Sequence, residues 1–192
     1  MIEFKTDMTL VMKKDCWDII NEYLKIISDQ KKSGSIVNVI DVEKNFKISI
    51  GENVILNGMI DRIQIDADGI LHIADYKTTK NKKYLKNDWF QLLTYAYIMF
   101  LEDPSIKKIR GSYILLRHDF EYITTEFSVP EILEIKDKYL KYAEQIRSET
   151  EYAPNPTNLC GWCDFVDICE IGREKAGKNF ITSNSEYGAV GY

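Results

Sequence analysis

Three side chains able to do chemistry lie where apolar residues belong. The segment Gly58 to Lys80, GMIDRIQIDADGILHIADYKTTK, sets Asp61, Asp75 and Lys77 among Ile60, Ile63, Ile65, Ile70, Leu71, Ile73 and Tyr76. The β-branched and aromatic residues predict two strands, and Asp68-Gly69 predicts a tight turn between them. Aspartate is disfavoured inside strands, so each one needs a reason. A three-residue loop, Ala67 to Gly69 with Gly69 left-handed, sets Asp66 opposite Ile70 and Asp61 opposite Asp75. Opposed residues share a sheet face with Cβ atoms roughly 4.5–5.5 Å apart. Lys77, two residues past Asp75, joins that face. A two-residue loop would break the parity. Two carboxylates that close repel unless a cation lies between them. A divalent ion, Mg²⁺ or Mn²⁺, answers this, because such ions are held by one or two carboxylates together with substrate phosphate and water. A neighbouring lysine can steady developing negative charge or hold an attacking water. The plain alternative is a surface salt bridge on an edge strand.

The elements that must position these groups follow from periodicity. Residues 8–30 read as an amphipathic helix with Trp17, Ile20, Leu24 and Ile27 as its inward stripe, ended by KKSGS. Strands are expected near 36–50, 53–65 and 70–77. NDWFQLLTYAYIMFLE, residues 87–102, is apolar nearly all round and reads as a buried helix. Gln91 and Tyr95 lie one turn apart on it. An amide in so apolar a helix needs a polar partner, which places it near the acids. A second hairpin is expected near 109–117 and 121–128, then a helix over about 131–149. The order predicts an α/β fold, a mixed sheet with helices packed against it.

In combination, Gly58-Met59-Ile60-Asp61, Asp75-Tyr76-Lys77-Thr78 and Gln91 to Tyr95 resemble the PD-(D/E)XK nuclease superfamily, in particular RecB/AddB-type exonuclease domains and related CRISPR-adaptation nucleases. The resemblance covers roughly 36–170. It implies a restriction-endonuclease-like mixed central sheet flanked by helices. It implies Asp61 and Asp75 as metal-binding carboxylates, the Tyr76 carbonyl as a further ligand and Lys77 as the catalytic lysine. Gln91 and Tyr95 would support the site and contact the substrate strand. One feature departs from the pattern. Such domains carry an upstream helix with a metal-binding histidine, and no histidine precedes residue 36 here. His72 has the opposite parity from Asp75 and is expected to face away. His118 is expected in a loop. Glu43 could partly replace that ligand, but the plainer reading is an acid at an ordinary strand position.

The four cysteines are Cys16, Cys160, Cys163 and Cys169. A disulfide framework does not suit a cytosolic chain with this much core, and CGWC lacks the strand-to-helix context of a redox motif. Three clustered thiols with a remote fourth suit a four-ligand metal site. The spacing is not the two pairs usual for zinc. It resembles the iron–sulfur staple of AddB-like nucleases, which implies a [4Fe–4S] cluster on these four residues, with zinc as the alternative.

Composition frames the rest. With 192 residues, 45% hydrophobic and 29% charged, the chain reads as one domain over 1–178, including a cysteine motif at 154–172, and a disordered tail at 179–192. No apolar run approaches a membrane span, and MIEFKTDMTLVMKKDCWD lacks a secretory pattern, so a cytoplasmic location is expected. The net charge of -5 argues against broad nucleic-acid binding. Locally, KTTKNKKYLK holds five lysines and no acid. Lys80, Lys82 and Lys83 there are candidates for backbone phosphate contact. The expected function is a metal-dependent deoxyribonuclease, an exonuclease or end-directed enzyme of recombination, repair or replication. Its expected partners are DNA and a helicase or other replication protein, with no membrane. The alternatives are a catalytically weakened DNA-binding or scaffold module and an RNA-directed nuclease.

Overall fold

The computed structural model describes residues 10–34, 37–82, 88–166 and 168–183. Lys83 and residues 184–192 lie outside them. The chain divides into two compact units, Met1–Gln145 and Ile146–Tyr192.

The first unit runs α1 (Leu10–Ser33), β1 (Asn38–Gly51), β2 (Val54–Ile65), β3 (Leu71–Lys77), α2 (Phe90–Glu102), β4 (Lys108–Leu115), β5 (Glu121–Ser128) and most of α3 (Val129–Ser148). The five strands form one sheet in chain order. Neighbours are antiparallel except β3 and β4, which are parallel. A parallel neighbour needs a crossover, and α2 supplies it. The mixed sheet flanked by helices matches the sequence expectation.

One sheet face carries the main core. Ile63, Ile73, Ile109 and Leu115 are fully buried there, in one cluster with Leu92, Ala96 and Ile98 of α2 and Ile132 and Ile135 of α3. Helix α2 is buried on several sides, as its composition predicts. Gly111 permits the close approach: a Cβ there would lie 2.6 Å from Phe127 Cε2.

Helix α1 lies against the other face, but not on the predicted stripe. Trp17 is 63% exposed and Leu24 58% exposed. Ile19, Tyr23 and Ile26 pack instead against Ala74, Ile114 and Phe120. Both stripes have helical spacing, so periodicity cannot choose between them. The choice comes from the partner: the Tyr23 and Phe120 rings stand 5.6 Å apart, and Asp15 pairs with Arg117.

The same face carries a buried polar network. His72 is 4% exposed. Its Nδ1 is 3.0 Å from Asp66 Oδ1 and its Nε2 2.7 Å from Ser112 Oγ. Ser112 Oγ is 2.7 Å from Thr124 Oγ1. Arg110 closes the network onto Asp66, Asp68 and Glu126. His72 therefore faces away from Asp75, as its parity predicts.

The second unit holds a short 3₁₀ turn, Asn158–Trp162, whose cap Thr157 accepts a hydrogen bond from the Leu159 N–H. It also holds α4 (Glu170–Ser183). The helix runs past Lys178, where the sequence predicts an unstructured tail. Glu170 at its start favours the N-terminal dipole, and Arg173, Glu174, Lys175 and Ala176 are good helix formers. Gly177 and Asn179 disguise the continuation in the sequence.

The network fixes an acid response. Burial lowers the His72 pKa, against the bond and charge of Asp66. As the pH falls, the unfolded chain takes this proton first, at about 6.5. Stability is full above that pH and declines as it falls toward the lower folded value. For Asp66, burial works to raise the pKa, but bonds from Gln64, Arg110 and His72 outweigh it and the net shift is downward. Its contribution is present above the unfolded value of about 4 and is lost as the pH falls through the folded one. Urea midpoints measured against pH should fall in two stages, and His72→Gln should remove the upper stage alone. A wild-type midpoint flat between pH 7 and 5 contradicts this account.

Candidate active site

The site begins with the β2–β3 hairpin. Register runs from Ile65↔Leu71 to Arg62↔Ala74. The loop is the expected one: the Asp66 N–H donates to the Ile70 carbonyl at 3.0 Å and the Gly69 N–H to the Asp66 carbonyl at 2.8 Å. Gly69 has φ 79°, which a side-chain-bearing residue rarely adopts. One more step along this register sets Asp61 across from Asp75. There the backbone ladder gives way to a side chain, with the Tyr76 N–H donating to Asp61 Oδ2 at 2.9 Å.

Gln91 gathers the other groups. Its Oε1 accepts from Lys77 Nζ at 2.8 Å. Its Nε2 donates to Asp75 Oδ1 at 2.7 Å and to the Tyr95 hydroxyl at 2.8 Å. An ammonium only donates and a carboxylate only accepts, so this amide orientation is forced. Lys77 Nζ also stands 2.7 Å from Asp75 Oδ2 as an ion pair. Asp61, Asp75, Lys77, Gln91 and Tyr95 thus form one connected constellation from β2, β3 and α2.

The electrostatics are those of an anionic site short of positive charge. Asp75 is 4% exposed. Burial raises its pKa, Lys77 opposes this through its bond and charge, Asp61 adds to the rise, and the balance is upward. Among the described residues the Lys77 ammonium is the donor nearest the buried Asp75 Oδ2. Lys77 also lies over the Tyr113 ring, 5.0 Å from its centroid, a favourable cation–π placement. Burial, then the charges of Asp75 and Asp88, push the Tyr113 hydroxyl up to about 12. Sequence reasoning missed Tyr113. It enters through the parallel pairing Asp75↔Tyr113, which no local pattern announces. Trp89 stacks on it, with ring centroids 5.5 Å apart.

The donor set fits a small, hard divalent cation. Two carboxylates converge, and Mg²⁺ accepts such a pair while keeping water and substrate oxygens. Among the described residues no three His, Cys, Asp or Glu side chains gather to hold a metal. His118 lies in the turn after β4. Glu43 is no ordinary strand residue: it has φ 50° and sits between the pairs Val42↔Arg62 and Lys44↔Ile60, hence opposite Asp61.

The remaining candidates are not drawn in. Lys80 and Lys82 are exposed, and Lys82 pairs with Glu121. Cys16 and Cys163 are exposed, while Cys160 and Cys169 are half-buried. Cys160 Sγ accepts the Thr157 N–H at 3.3 Å and Cys169 Sγ the Gly172 N–H at 3.2 Å. The three thiols of the second unit are not gathered round one point, so as arranged they do not fit a cluster. Beside the constellation lies a cavity of about 420 Å³, lined by Phe46, Asn57, Phe90, Gln91, Tyr95 and Tyr139 among others.

A 46-residue stretch, 24% of this chain, is 46% identical to part of an ATP-dependent helicase/deoxyribonuclease polypeptide of Streptococcus pyogenes serotype M49 (strain NZ131). The match to its serotype M1 counterpart has the same extent and identity. It spans only 4% of those relatives' length. A solved protein, SSO0001, overlaps 80% of this chain and 68% of its own at 21% identity and a TM-score of 0.39, too loose a likeness to add to the topology above. The sequence profile of the PD-(D/E)XK nuclease superfamily matches residues 7–170. Matched over most of its length, the chain belongs to the PD-(D/E)XK nuclease superfamily.

Proposed function

We propose that this chain is a Mg²⁺- or Mn²⁺-dependent deoxyribonuclease acting on DNA ends or single strands. The observation that carries the reading is the constellation in which Gln91 ties Lys77, Asp75 and Tyr95 together beside Asp61. Asp61 and Asp75, with the Tyr76 carbonyl, would hold the cation. Bound there, it supplies Lewis-acid polarisation of the scissile phosphate. Asp61 is oriented by the Tyr76 N–H and Asp75 by Gln91. Without the cation, Lys77 neutralises Asp75. With the carboxylates neutralised by metal, its ammonium is free to hold the attacking water or the anionic phosphate. The aromatic cavity next to Gln91 and Tyr95 offers rings on which unpaired bases stack. Lys80, Lys82 and Lys83 would grip backbone phosphate without reading sequence. The helicase/deoxyribonuclease relatives make a helicase the natural partner, in recombination, repair or replication in the cytoplasm. Among the described residues no helix is long and apolar enough to cross a membrane.

A second reading, a catalytically weakened DNA-binding module, draws on one observation: no third ligand joins the two carboxylates among the described residues. Cleavage of labelled single-stranded and blunt duplex DNA with Mg²⁺ or Mn²⁺ separates the two, and RNA of the same sequence tests the choice of substrate. Asp75→Ala should abolish cleavage with the fold intact. Lys77→Ala should lower it at least about 100-fold, and Gln91→Leu should lower it about 10-fold or more through misplacement. Unchanged cleavage by Asp75→Ala rejects the site. Wild-type inactivity with retained DNA binding selects the second reading.

For the lysine loop, neutralising Lys80, Lys82 and Lys83 together should flatten the salt dependence of DNA binding by about two to three units of slope. A slope that does not move makes the loop a solvated surface.

For the cysteines, the proposal is a [4Fe–4S] cluster on Cys16, Cys160, Cys163 and Cys169, with zinc the alternative. The cysteine spacing and the backbone N–H bonds to the Cys160 and Cys169 sulfurs support it. Binding would require the sulfurs to close up. Anaerobically purified protein should carry iron and sulfide and lose both in Cys163→Ser. One equivalent of zinc replaces the cluster, and metal-free folded protein removes the site.

A further inference from the structure

Arg62 occupies an unusual position. It lies on the sheet face opposite the catalytic groups and is 4% exposed. Among the described residues no carboxylate pairs with it. Its Nη1 lies a long 3.4 Å from the Tyr76 hydroxyl, Tyr122 offers it a second hydroxyl, and its buried Nε has no partner among the described residues. A buried guanidinium without a counter-ion is costly. It lines a cavity of about 280 Å³ with Tyr23, Tyr76, Tyr122, Gln30 and Phe120. That volume is just under the range of sites for drug-sized ligands, so the occupant is small.

We infer that this cavity binds a phosphate group, free or as a monoester, its oxygens held by the Arg62 guanidinium and by tyrosine hydroxyls. A guanidinium takes two oxygens of one anion as a fork, and this one has no carboxylate to take. Tyr23, Tyr76 and Tyr122 line the same cavity, and a phosphate offers such donors more oxygens than a carboxylate does. Phe120 and Ile114 give an attached ring or chain an apolar wall, and exposed Asp119 at the rim can accept from a ligand hydroxyl. Two sources share this chemistry: free phosphate, and the nucleoside 5′-monophosphate that a nuclease releases. Only the second rests on the function proposed above.

Thermal melting of the full chain in EDTA tests it, with millimolar inorganic phosphate in one arm and a deoxynucleoside 5′-monophosphate in the other. Wild-type protein should melt higher with ligand. Arg62→Met should lose the shift. Ile27→Trp, which fills the cavity wall from the exposed side of α1 and leaves Arg62 in place, should lose it too if Arg62→Met fails to fold. Asp75→Ala should keep it, so failure of this site and failure of the nuclease reading are told apart. Equal shifts in the two arms name free phosphate, and a larger nucleotide shift names the nucleotide. No wild-type shift in either arm, or an undiminished shift in Ile27→Trp, overturns the proposal.

Discussion

The molecule turns on one electrostatic constraint: two carboxylates share a face of a central sheet, and one of them is almost wholly buried. Desolvation and like charge both work against ionised Asp75. Left alone, Asp75 would hold its charge less readily, and a metal needs that charge. The surrounding residues answer the problem. Lys77 brings a cation, Gln91 brings a donor, and the Tyr76 N–H orients Asp61. The apolar wall of α2 then holds the amide in place, since Leu92 and Ala96 beside it have no room to move.

The hairpin was legible because parity is strict. Once a three-residue loop is granted, Asp61 must oppose Asp75 and His72 must face the other way, and no tertiary information is required. Gln91 was legible because an amide in an apolar helix demands a partner. The failures share a cause. The buried stripe of α1 and the approach of Tyr113 both depend on contacts distant in sequence. Helical periodicity allowed two stripes, and only Phe120 distinguishes them. Glu43 read as an ordinary strand position, yet its backbone is left-handed, a strain that composition does not reveal. The cysteine spacing gave a chemistry without a geometry.

The two faces of the sheet are built on different principles. Under α2 the face is apolar apart from Thr94 and the constellation around Asp75. Under α1 it carries Gln64, His72, Ser112 and Arg62, all buried, and side-chain bonds link the first three in a row, with Gln64 Oε1 left over. Arg62 is left out of that arrangement. Tyr76 belongs to both faces: its hydroxyl meets Arg62 on one side and its backbone N–H meets Asp61 on the other. A strand residue with such double duty ties the geometry of the two faces together.

The parallel β3–β4 pair has a consequence for the order of assembly. Asp61, Asp75 and Lys77 all precede residue 78, yet the helix whose Gln91 orients Asp75 and Lys77, and the strand β4 that pairs with β3, come later in the chain. During translation the acidic hairpin leaves the ribosome well ahead of Tyr113 and Leu115. Long-range parallel pairing is slow to form, so the emerging chain carries Asp61, Asp75 and Lys77 before Tyr113 can reach them. The constellation around Gln91 is complete only when the sheet is closed.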